Sequence, residues 1–409
     1  MRILLLTHHY APEIGAPQRR WRELVSGLTS AGHQVAVCAP VAHYPHGHAS
    51  SLGAEGTPLM RWEDGEYGER ILRLPYVPST STMVRQLIDQ STSSLAALIV
   101  AASLRSAKPD VVISTTPGLP MLFTGDLVAR MLQVPHIAEI RDAWPDLIAD
   151  SELIRTVCRG ALPLQLTQAL ERRIIPAVFR RAKRRADHIV VTSQRFADRL
   201  RARGYTNLTI IRNTAIPFRP SKTPGQRSPG APLRLLYVGT VGRSQALDAV
   251  VRAVHAVPGV EMRIVGAGVA KTALQELSAN LDAPIRFYPQ TTGERLEEMW
   301  EWADTGIVSL ADVPAYEYTV PSKLYTLMAR GVHITGILNG EAAYIVRESG
   351  AGHVVAAGDE AGLRSLITRL RDGELDLDPD PRAQEWLDAH ASPEIALQAY
   401  LDLLNEATR

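Results

Sequence analysis

At 409 residues the chain exceeds the roughly 250–300 at which a single hydrophobic core usually stops growing, so two domains are expected. With 45% hydrophobic and 21% charged residues it has the make-up of an ordinary soluble globular protein. A formal net charge of +1 excludes a global field for nucleic acid or acidic polymers, and two distant cysteines, Cys38 and Cys158, exclude a disulfide framework.

The apolar run at residues 3–6 stops after four residues with no cleavage site behind it, so it reads as a first buried strand and not as a signal peptide. Further strands are expected at 34–38, 111–114, 136–140, 189–192 and 209–211, with helical patterns at 20–30 and 121–132. The apolar stretch 95–104 is too short to span a bilayer, so a cytoplasmic protein is expected. Residues 218–232 hold four prolines and two glycines with almost nothing to bury, the composition of a linker. Strand patterns restart at 233–237, 261–265, 285–288, 305–310, 333–337 and 353–355, and residues 392–407 read as a last amphipathic helix. Strand–helix alternation on both sides of a linker predicts an α/β protein with two Rossmann-like, doubly wound parallel sheets facing a cleft. The expected domains are 1–217 and 233–391, with helix 392–409 packing back on the first.

Four loops could carry chemistry. Tyr10-Ala-Pro-Glu-Ile-Gly15 follows the first strand and opens onto a helix, where Gly15 allows close approach of a diphosphate. Gly239-Thr-Val-Gly242-Arg243 repeats the arrangement after the first strand of the second half, with a cation in the loop. Each loop alone is equally a plain turn; two of them shift the reading toward phosphate. Arg263-Ile-Val-Gly266-Ala-Gly268 has two of the three glycines of a dinucleotide fingerprint and Lys271 where the third would lie, so it reads as a turn at a base or ribose, or as a structural turn. Pro321-Ser322-Lys323 starts a helix whose first amides, hydroxyl and ammonium suit an oxygen anion.

Taken with Gly32-His-Gln-Val35, Glu139-Ile-Arg141-Asp142-Ala-Trp144-Pro145 and Gly340-Glu341, this succession resembles family-four glycosyltransferases of the GT-B fold, in the branch that builds bacterial cell-surface or secondary-metabolite sugars. The resemblance spans nearly the whole chain in the family's order. It implies retaining transfer from a nucleoside-diphosphate sugar, commonly a UDP-sugar, with no required metal or other cofactor. By it, Gly15, Gly239, Gly242 and Arg243 flank the diphosphate, Gly266 and Gly268 border the nucleoside, and Lys323 beside Pro321 and Ser322 neutralises the leaving group. Glu341 approaches the donor sugar. Asp142 either faces sugar and acceptor or caps the loop after its strand, and Arg141, Trp144 and His46 lie on the acceptor side. The chain departs from the family where a pair of glutamates is common: Tyr318 and Thr326 take those places, with Glu317 one position away. It also has Thr240 and Gln245 where many members have an arginine and a lysine.

Asp376-Leu-Asp-Pro-Asp380 mimics a metal-binding Asp-x-Asp but sits in a proline-rich turn, and the histidines at 43, 46 and 48 match no zinc spacing. Residues 171–185 carry seven basic residues among Ile174, Ile175, Val178 and Phe179. They read as a packed helix with a solvated charged face, or as a peripheral contact with an anionic membrane that would suit a lipid-linked acceptor. A small-molecule acceptor is the other class. A nucleotide-sugar epimerase and a non-catalytic sugar-nucleotide-binding subunit are the competing functions.

Overall fold

Each apolar run becomes a strand because helices cover both of its faces. The computed structural model describes residues 1–44, 47–49, 56–78, 83–104, 108–143, 146, 163–215 and 230–409. The expected linker lies outside them up to residue 229, as do His46, Trp144, Pro145 and Cys158.

Among the described residues the chain divides into two units, 1–213 with 393–409, and 214–392. In the first, an eight-stranded sheet takes the order β3-β4-β2-β1-β5-β6-β7-β8. Its strands are β1 (Arg2–Leu6), β2 (Gln34–Pro40), β3 (Trp62–Asp64), β4 (Arg70–Leu74), β5 (Val111–Thr115), β6 (His136–Ile140), β7 (His188–Val191) and β8 (Leu208–Ile210). All neighbours are parallel except β3 against β4. Alternation along β1 divides the core. Ile3 and Leu5 meet Trp21, Leu24 and Leu28 of α1 (Ala16–Ser30) and Tyr400 and Leu403 of the C-terminal helix (Pro393–Ala407). Leu4 and Leu6 meet Ala97 and Val100 of α2 (Met83–Ser103) and Met121 and Val128 of α3 (Leu119–Leu132). The helix predicted around 171–185 begins earlier. It runs through α4 (Leu164–Ala169), a π-helical turn at Leu170–Ile174 and α5 (Ile175–Lys183). In α6 (Gln194–Ala202) the Ser193 hydroxyl accepts from the Phe196 amide and caps the first turn.

A buried ionic knot explains why the C-terminal helix joins this unit. Glu139 on β6 accepts from Arg20 Nε at 3.0 Å and Nη2 at 2.8 Å, from Thr115 Oγ1 at 2.9 Å, and from the Tyr400 hydroxyl. Arg20 also donates to the carbonyls of Ile211 and Arg212. Every strong donor around this carboxylate comes from a different element, so α1, β5, β6 and the C-terminal helix are tied at one point.

The second unit is a six-stranded, all-parallel sheet of order β11-β10-β9-β12-β13-β14. The strands are β9 (Leu233–Val238), β10 (Val260–Val265), β11 (Ile285–Tyr288), β12 (Thr305–Ser309), β13 (His333–Ile337) and β14 (Gly352–Val355). They alternate with α7 (Leu247–Ala256), α8 (Lys271–Asn280), α9 (Glu294–Trp302), α10 (Ser322–Ala329), α11 (Gly340–Ser349) and α12 (Glu360–Arg371), and α13 (Arg382–His390) follows. The strand order reverses between β9 and β12. Doubly wound sheets bind ligands at such switch points, beyond the carboxyl ends of the strands. In the first unit the corresponding reversal lies between β1 and β5. Among the described residues no helix is long and apolar enough to cross a membrane.

Candidate active site

Two glycine loops leave the second sheet side by side. After β9 the chain passes Gly239 at φ +136°, and after β10 it passes Gly266 at +149° and Gly268 at +155°, backbone that side chains rarely adopt. The Gly239 amide donates to the Val265 carbonyl and the Val241 amide to the Ala267 carbonyl, each at 2.9 Å. A Cβ on Gly266 would lie 1.9 Å from the Gly239 carbonyl oxygen, and one on Gly268 would lie 2.2 Å from that of Val241. These glycines are required by contact between backbones. Gly242 differs: its backbone is extended, and its amide donates to Gln245 Oε1 at 3.0 Å. Gln245 therefore pins the loop. Lys271, in the place of the third fingerprint glycine, donates to the carbonyls of Gly266 at 2.7 Å and Tyr288 at 2.5 Å. It closes the 266–268 loop and removes a dinucleotide-type phosphate cradle there. Arg243 stands exposed in the turn Arg243–Gln245.

Lys323 lies in the first turn of α10, behind Pro321 at the N-cap and Ser322. Its Nζ is buried, has no hydrogen-bond partner, and sits 3.7 Å from the centroid of the Tyr237 ring. A Cβ on Gly239 would stand only 3.2 Å from that Nζ. Burial pushes the ammonium down to about 7. An uncompensated buried cation is costly, so it is kept in place by what it can bind. Sequence reading takes Tyr237, one residue before the strand's end, as the start of the Gly239 loop motif but gives its ring no role. At the start of α11, Gly340 at φ +64° packs on Glu317, whose carbonyl oxygen would be 2.1 Å from a Cβ there. That contact brings the Glu317 backbone beside the buried Glu341, which is 2% exposed.

The first unit has its own polar centre at the β1–β5 reversal. Glu13 is buried and accepts from Gln18 Nε2 at 2.8 Å, from the amides of His43 and Tyr44 at 2.9 Å, and from His9 Nδ1 at 3.1 Å. Burial opposes its ionisation, but the bonds from His9, His43 and Tyr44 outweigh burial and bring its carboxyl down to about 2. Deeper, His8 and His43 both direct Nε2 at Asp89 Oδ2, at 3.1 and 2.9 Å. His43 Nδ1 donates to the Val41 carbonyl at 2.7 Å, so both its ring nitrogens face acceptors. Burial works against its charge, yet the bonds to Asp89 and Val41 prevail and raise its pKa. His8, whose other nitrogen meets Ser93 Oγ at 3.1 Å, is lowered chiefly by burial. Among the described residues His8, His43 and Asp89 are the group spaced to hold a metal ion. Sequence reading gives no role to Glu13, inside the Tyr10–Gly15 loop, or to Asp89, because the His43 and Tyr44 amides and the His8 and His43 rings they meet lie 30 residues or more away.

Gly15 has extended backbone at φ −178°, open to any residue, and a Cβ there would meet the flexible end of Gln18. Its expected freedom is not what the loop uses. Asp142 and Arg141 follow β6. The Arg141 amide donates to Thr116 Oγ1 at 3.0 Å and its Nη2 to Asn213 Oδ1 at 3.2 Å, while Nε and Nη1 are buried without partners. Asp376 and Asp378 are exposed, in keeping with a solvated turn.

Residues 15–214 match the model of the glycosyl transferase 4-like domain, and residues 232–372 match that of glycosyl transferases group 1. This chain belongs to the family-four glycosyltransferases of the GT-B fold. The transferase is 22% identical over 352 residues to WcaI, a colanic acid biosynthesis glycosyl transferase of Escherichia coli (strain K12), covering 81% of this chain and 82% of that one. It shares its fold with sucrose-phosphate synthase of Thermosynechococcus elongatus (TM-score 0.75, 16% identity, 99% and 98% of the two chains covered). It also shares it with Anabaena HepE, solved with UDP-glucose (TM-score 0.65, 13% identity, 99% and 100% covered).

Proposed function

We propose that this transferase moves a hexosyl group from a UDP-sugar, with retention and without a required metal, and that the loops of the second unit hold the donor. The observation that carries the reading is Lys323, a buried ammonium without a hydrogen-bond partner, set beside the Gly239 loop at the switch point of a parallel sheet. Breaking the anomeric C–O bond releases a diphosphate. Fixed cations and amide dipoles at that oxygen lower the barrier more than they stabilise bound substrate. In this reading Lys323, the first amides of α10 with Ser322, and Arg243 meet the diphosphate, and Gly239, Gly242, Gly266 and Gly268 let backbone approach the nucleotide. Glu341 holds the sugar. Asp142 works where sugar and acceptor meet, and Arg141 serves the acceptor side together with Trp144 and His46.

The acceptor we propose is lipid-linked, met at the cytoplasmic face of a membrane through the basic segment 171–185. The UDP-glucose complex of HepE and the colanic acid biosynthesis for which WcaI is named support the donor and product classes by likeness. The experiment is a thermal-shift screen of metal-free protein against UDP, GDP, TDP and their common sugars. Stabilisation by UDP and one of its sugars is expected, and silence toward all of them would overturn the donor assignment.

A further inference from the structure

Two arginines bear on the carboxylate of Glu139, and one of them is left unsatisfied. Arg20 gives Nε and Nη2 to Glu139 and Nη1 to the Arg212 carbonyl. Arg141 gives Nη2 to Asn213 Oδ1 at 3.2 Å, while its Nε and Nη1 are buried with no acceptor. Nε carries one N–H and Nη1 two, so these atoms leave three donors unused. Glu139 is already taken up by Arg20, Thr115 and Tyr400. Among the described residues Arg22 and Arg73 also bury an unpartnered nitrogen, but one each, and both stand by a glutamate. Arg22 Nη2 lies 3.6 Å from Glu66 and Arg73 Nε 2.7 Å from Glu63.

The backbone that carries Arg141 is fixed from both sides. Its amide donates to Thr116 Oγ1 at 3.0 Å, and its carbonyl accepts from Thr192 Oγ1 at 3.2 Å. Residues that follow β5 and β7 therefore anchor the residue that follows β6, and Asn213 anchors one corner of the guanidinium. Burial lowers the pKa of Arg141, and the attraction of Glu139 does not make up for it. A guanidinium nevertheless stays protonated at any physiological pH. Unlike the Lys323 ammonium, it cannot escape the cost of burial by losing a proton. Buried donors without acceptors are costly, and an anion relieves both the charge and the missing bonds.

We propose that Arg141 is an oxyanion site of the first unit, and that the sugar acceptor carries the phosphate or carboxylate that fills it. The diphosphate of the donor already has its cation in Lys323 of the second unit. A second unanswered cation calls for a second negatively charged group. Guanidinium N–H groups match the oxygens of either anion, and a neutral hydroxyl cannot offset the charge. The inference rests on the acceptor-side reading of Arg141 and narrows the acceptor to an anionic one.

Thermal-shift titration of the full chain, with UDP saturating the donor loops, tests it against glucose 6-phosphate, glucuronate and glucose. An anionic sugar should raise the melting temperature where glucose at the same concentration does not. Whichever of the two acts at lower concentration tells phosphate from carboxylate. Arg141→Met, and Arg141→Gln, which keeps a polar group beside Asn213, should weaken anion binding about tenfold or more, and Arg141→Lys less. Both should bind UDP like wild type, and without ligand both should melt at or above it. A purely structural arginine gives the reverse, a lower melting temperature with the anion response intact. Lys323→Met should keep the anion response, read without UDP. Silence of the wild type toward both anions would overturn the inference. So would an anion response that survives Arg141→Met and Arg141→Gln, or a loss of UDP affinity in those variants. Failure of UDP to bind wild type would instead strike the donor assignment, and the anion response without UDP would still decide this one.

Discussion

Three buried carboxylates of the first unit and one buried ammonium of the second differ in one respect. In the first unit every buried carboxylate described above is answered from within: Glu13 by four donors, Asp89 by two imidazoles and the Val77 amide, Glu139 by Arg20, Thr115 and Tyr400. In the second unit Lys323 is answered by nothing except the edge of the Gly239 loop and the Tyr237 ring. A charge satisfied internally holds a fold together. A charge left unsatisfied is a site waiting for a ligand, and the protein bears its cost until the ligand arrives.

Substitutions on the two sides should therefore move stability and binding in opposite senses. The largest effect is expected from Glu139→Ala, which strands Arg20 and Tyr400 in the core. Removing one partner of a buried pair costs about 3–5 kcal/mol, so denaturant titration should show the loss, with no change in UDP affinity among molecules still folded. Lys323→Met comes next. Turnover should fall by roughly 100- to 1,000-fold, the scale for deleting one group that stabilises transition-state charge. The melting temperature of the free protein should rise at neutral pH, because an uncompensated buried ammonium has gone.

The pH dependence sharpens the same contrast. Lys323 titrates near 7 in the folded chain and near its ordinary, higher value when unfolded. Between those values the unfolded state binds more protons, so this group's contribution to stability improves as pH rises through the window. Diphosphate binding restores the ammonium. Calorimetry at pH 8 in buffers of different ionisation enthalpy should show proton uptake when UDP binds, absent in Lys323→Met. The smallest effect is expected from Arg243→Ala: an exposed cation is screened, so UDP binding should weaken by only about threefold, with no change in melting temperature.

Much of this was legible in the sequence. The strands of both sheets except β3 and β4 follow from apolar runs, and the Gly239 and Pro321-Ser-Lys323 motifs located the candidate donor site. Three parts were hidden. The short strands Trp62–Asp64, at the sheet's edge, and Arg70–Leu74, beside it, carry charged residues among their apolar ones, which blurs their alternation. The helix Met83–Ser103 exposes Ile88, Leu95 and Ile99 among Arg85, Gln86 and Ser91, so its 3.6-residue period is blurred. Asp89 and Glu139 act chiefly through partners tens of residues away, and Glu13 joins the nearby His9 and Gln18 to the distant His43 and Tyr44 amides, a relation no local pattern encodes.

The central claim is that Lys323 is the unpaid charge of a diphosphate site. Calorimetric titration of UDP into metal-free wild-type protein and into Lys323→Met tests it most directly. The account predicts saturable binding to wild type with proton uptake above pH 7, and loss of both in the variant. Equal UDP affinity in the two proteins would contradict it.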